Sequence, residues 1–65
     1  MQPEMILANA RAVYAQFISV PCERLADDLF DRHVGLVRSY CDMTGASMRD
    51  VARSIAINHL EQIGA

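Results

Sequence analysis

The sequence contains no lysine and no tryptophan, and it is sparing with glycine, proline and cysteine. Each shortage excludes something. Every basic residue is an arginine, and six of them against eight acids leave a formal charge of −2 and an isoelectric point near 5.4. The broad positive field of a nucleic-acid binder is therefore missing, and any phosphate contact has to come from a local arginine cluster. Three scattered glycines make no phosphate-cradling loop, and no Ser-His-acid arrangement with catalytic context accompanies them. An enzyme is not expected.

The two cysteines, Cys22 and Cys41, fall on one expected helix, about 28 Å apart at 1.5 Å per residue. That is beyond disulfide reach, and no signal-peptide pattern precedes them, so reduced thiols in the cytoplasm are expected. Zinc favours cysteine and histidine ligands, and Cys22, His33, Cys41 and His59 supply both types. His33 and Cys41, however, lie about 12 Å apart along one helix, and no CxxC or HxxxH spacing occurs. No metal or other cofactor is expected. No apolar run approaches the roughly 20 residues of a membrane span.

What the sequence does have is apolar material, 52% of 65 residues with four methionines. A domain of this size hides only about 60% of the surface of its unfolded chain, and such a core rarely supplies more than about 3–5 kcal/mol. The surplus points to self-association or a protein partner.

Three helices are expected in a single domain over residues 1–65, at about 3–18, 21–42 and 48–63. Pro3 and Glu4 suit a first turn, and the segment behind them is apolar nearly all round, the pattern of a helix buried on most sides. Val20-Pro21 breaks it, because the residue before proline avoids the α region. Leu25, Ala26, Leu29, Phe30, His33, Val34, Leu36, Val37, Tyr40 and Cys41 then recur at helical spacing. Gly35 interrupts them and marks a bend or a close helix crossing. Thr44-Gly45-Ala46 is the second break. Ser47 three residues before Asp50 forms a capping box, and Met48, Val51, Ala52, Ile55, Ala56, His59, Leu60 and Ile63 make the stripe of the last helix, with Gly64 as its terminator.

Thr44-Gly45, Ser47, Asp50-Val51-Ala52-Arg53 and His59-Leu60, a pattern over residues 44–64 or one third of the chain, resemble the C-terminal helix of ribbon-helix-helix proteins. The resemblance implies an intertwined dimer with Val51, Ile55 and Leu60 in its core. It also implies a strand that enters the major groove and phosphate contact at the helix start, near Ser47 and Arg49, with Arg53 one turn on. Free amides and a positive dipole favour such contact independently. The strand would have to be Gln16 to Val20, which offers Gln16 and Ser19 on opposite faces and no basic residue.

Asp27, Asp28 and Asp31 share one side of the second helix, as a solvated face or as a docking face for a basic partner. His33 falls at a core spacing and is expected half-buried. Ile6, Val13, Tyr14 and Phe17 are the candidate partner or dimer face. The reading is thus an all-α protein of three helices, associating through its first helix as a homodimeric bundle. By analogy of size with phage and plasmid inhibitors, it is a non-enzymatic regulatory or accessory protein that binds a protein partner. The alternative is a DNA-binding repressor or antitoxin of ribbon-helix-helix type. The two separate at Gln16 to Val20, helix for the first and strand for the second.

Overall fold

A computed structural model describes residues 2–64. Three α-helices follow one another, α1 Pro3–Ser19, α2 Glu23–Thr44 and α3 Met48–Gly64, with no strand among the described residues. None is long and apolar enough to cross a membrane.

Each boundary has a local cause. Gln2 is extended, with φ −76° and ψ 146°, and Pro3 stands in the first turn, where its fixed φ suits the helix and its missing N–H costs nothing. At the other end Val20 turns extended, φ −79° and ψ 132°, as a residue before proline must. Its N–H still donates to the Gln16 carbonyl at 3.1 Å, so Gln16 to Ser19 form the last turn of α1 and not a strand. That overturns the β-ribbon expected on the DNA-binding alternative.

Cys22 stays extended before α2, which therefore begins two residues later than the proline signal suggests. It also runs two residues further, to Thr44. Gly45 closes it in the left-handed region, φ 75° and ψ 7°, and donates to the Cys41 carbonyl at 2.7 Å. The Thr44 hydroxyl donates to the Tyr40 carbonyl at 2.8 Å and accepts the Ala46 amide at 3.4 Å. The side-chain hydrogen bonds described at this junction are those of Thr44. Ser47 contributes its carbonyl, which accepts the Val51 amide at 3.0 Å.

α1 and α2 form an antiparallel hairpin. His33 lies against Ala10 midway along α1, and Phe30 near the start of α2 meets Phe17 near the end of α1. α3 lies against both, less extensively than they pack on each other. The molecule measures 33 × 29 × 20 Å, its least dimension that of two helix layers.

The core consists of Ile6, Ala10 and Val13 from α1, His33, Val37 and Cys41 from α2, and Val51 and Ile55 from α3. These residues recur at three- and four-residue spacing, one stripe per helix. None of them is a leucine, phenylalanine or methionine. Leu25, Phe30, Met43 and Leu60 are each about half exposed or more, as are Met5 and Ile18 of α1. The nearly uniform apolarity of α1 thus ends in one buried stripe, a half-buried border at Leu7, Tyr14 and Phe17, and an exposed remainder. The surface totals 4728 Å², where a compact monomer of 7.2 kDa shows about 4,100 Å².

Gly35 is exposed, and a Cβ built there meets no atom within 4 Å, so the close crossing expected at this glycine is absent. Gly35→Ala is expected to raise stability by up to about 1 kcal/mol, because alanine is the better helix residue. Gly45→Ala is expected to lower it by about 1–2 kcal/mol, the cost of a Cβ in the left-handed region. Urea unfolding followed by far-UV circular dichroism checks both signs.

Candidate interaction surface

His33 is 5% exposed, and its ring nitrogen Nδ1 lies 3.2 Å from the Ala10 carbonyl oxygen. A carbonyl can only accept, so Nδ1 carries the proton and donates. That bond spans the α1–α2 crossing and satisfies the one buried polar side chain among the described residues. The Tyr14 ring packs on His33 at 5.4 Å between centroids and meets His59 of α3 edge-on at 5.7 Å. It also touches Phe17, which passes the contact to Phe30. The histidine is more deeply buried than its spacing suggested, and its partners make it structural.

Above this layer, Phe30, His33, Val34 and Val37 of α2 and Met48 and Ala52 of α3 line a notch of about 120 Å³, the size of a single apolar side chain. Phe30 and Met48 on its lining remain 48% and 38% exposed. Asp27 and Asp31 interleave with Phe30 and Val34 at three- and four-residue spacing, which makes all four surface neighbours on α2. Both carboxylates are exposed. An apolar notch with an acidic flank is suited to an apolar side chain carried beside basic residues. Asp28 continues the acidic side away from the notch.

A larger concavity, about 360 Å³, is lined by Asp50, Arg53, Ser54, Ile57, Asn58 and Glu61. All six belong to α3, and the face of a single helix is convex, so this is open surface rather than a pocket.

The residues singled out from the sequence are distributed differently from the expectation. Ile6 and Val13 are buried against the protein's own helices, and Tyr14 and Phe17 are partly covered by His33, His59 and Phe30. The proposed partner face of α1 is therefore occupied within the chain. Ser47, Arg49 and Arg53 are exposed around the start of α3. Cys41 lies in the core while Cys22 is exposed before α2, and no three metal-binding side chains gather among the described residues. Phe30 and Met48 fall on the apolar stripes of their helices, yet both line the notch. Their role on the notch becomes visible only once the angle between α2 and α3 is known.

Replacing His33 by alanine removes a buried ring together with its hydrogen bond and is expected to cost about 2–4 kcal/mol. His33→Asn places an amide N–H near the position of Nδ1 and is expected to lose clearly less. The comparison is read from urea midpoints at constant slope.

Compared with models of known protein families, with curated proteins and with solved structures, the chain matches none.

Proposed function

We propose that this is a non-enzymatic regulatory or accessory protein that self-associates and acts by binding a protein partner in a reducing, cytoplasmic setting. The observation that carries the reading is the number of large apolar side chains left at the surface. Phe30, Leu25, Met48, Ile57 and Leu60 face outward, between 38% and 62% exposed. Large exposed apolar side chains of this kind mark protein interaction sites. The partner takes the notch between α2 and α3 with an apolar side chain, Asp27 and Asp31 select basic residues beside it, and Asp28 extends the acidic face further along the partner.

The DNA-binding alternative keeps only Ser47, Arg49 and Arg53 as phosphate contacts. Its base-reading element falls on Gln16 to Ser19, which are helical, and phosphate contacts alone carry no sequence information.

An amphipathic peptide of leucine and lysine, titrated into isotopically labelled protein, is expected to shift the amides of Phe30, Val34, Met48 and Ala52. Its glutamate counterpart is expected to leave them unmoved, and M48D to abolish the response. Duplex DNA added to the same sample is expected to change nothing. Shifts centred on Ser47, Arg49 and Arg53 that fade steeply with salt would reverse the ranking of the two readings.

A further inference from the structure

We infer that the outer face of α3 docks against α3 of a second copy of this chain, the two helices running antiparallel about a two-fold axis at Ile57. The inference rests on the self-association reading and assigns it a surface.

α3 turns Val51 and Ile55 inward. Ile57 lies two residues beyond Ile55, about 200° further round the helix, and is 47% exposed, with Leu60 at 62%. Arg53 and Glu61 stand four residues before and four after Ile57, and both are exposed. Within one chain these two charges are about 12 Å apart along the helix axis, with Ile57 between them, too far to pair.

A two-fold interface uses the same patch twice, so it must be complementary to itself. Reversal about Ile57 meets that condition. It sets Arg53 opposite Glu61 of the second copy and Glu61 opposite Arg53, two ion pairs from one arrangement. Asp50 then falls opposite Gly64, so no acid meets an acid. A parallel pairing would set Arg53 against Arg53 and Glu61 against Glu61. Ile57 and Leu60 supply the apolar seam, and the charges fix direction and register, the role that flanking charges serve best.

Sedimentation velocity on the wild type, R53E, E61R and an equimolar mixture of the two variants tests this pairing. The first variant places acids at both pairing positions, 53 and 61, and the second places arginines at both, with Asp50 unchanged in each. The wild type is expected to be a dimer at micromolar concentration, each variant alone to associate at least about tenfold more weakly, and the mixture to recover the dimer. Circular dichroism establishes that the variants are folded, and R53Q with E61Q replaces them should either charge reversal unfold the helix. A monomeric wild type would overturn both this interface and self-association. A dimer indifferent to the reversals, or a mixture that stays dissociated, would overturn this interface alone and move the contact to another face.

Discussion

Ala10 has no exposed surface, and the protein is organised around the closeness that this permits. Beside this small residue, the His33 side chain reaches across 23 positions of sequence to the Ala10 carbonyl. The hydrogen bond fixes which ring nitrogen carries the proton and which way the imidazole faces. Tyr14, one turn after Ala10, packs on that ring and carries the contact on to His59. α3 is thus tied to the hairpin by an aromatic edge as well as by Val51 and Ile55. A larger residue in place of Ala10 would separate the helices, break the bond and leave a buried polar group unsatisfied, which costs more than the bond itself contributes.

Close helices have a second consequence. The buried positions hold alanine, valine, cysteine, isoleucine and one histidine, Leu7, Tyr14, Leu36 and Tyr40 pack at their border, and Leu25, Phe30, Met43 and Leu60 stand outside. A small core of this kind gives modest stability on its own, and the displaced side chains become the outer surface. Anything that binds the folded state through those side chains adds to its stability by mass action. Under the proposed self-association, folding and binding would be coupled by the same packing.

Much of the architecture is legible from spacing and breaks alone. Pro3, Val20-Pro21 and Gly45 mark the helix ends to within two residues, and the stripe His33, Val37, Cys41 is visible as helical periodicity. α1 is the harder case, because Met5, Leu7, Ala12 and Ile18 compete with Ile6, Ala10 and Val13 for the interior, and the pattern does not choose between them. At Gly35, read as a bend or a close crossing, the crossing is absent: glycine at mid-helix signals a close approach only when another element lies beside it, and none does. "QFISV" has the composition of a strand, yet it continues a helix already propagating from Pro3 and has no neighbouring strand to pair with. The notch was hidden because Phe30 and Met48 lie in different helices, and their juxtaposition depends on a crossing angle that periodicity does not encode.

The two surfaces assigned to α3 do not compete. Met48 and Ala52 line the notch, whereas the proposed seam centres on Ile57, five residues after Ala52 and about 140° round the helix from it. One helix can then meet a second copy along its outer face while its other side, with α2, receives a partner. A dimer built in this way carries two notches related by the two-fold axis. A partner that is itself dimeric, or that presents two basic-apolar segments, would bind both, the second at the high effective concentration set by the first. The fold would therefore gain affinity without enlarging either notch, a route suited to a chain with so little surface to give.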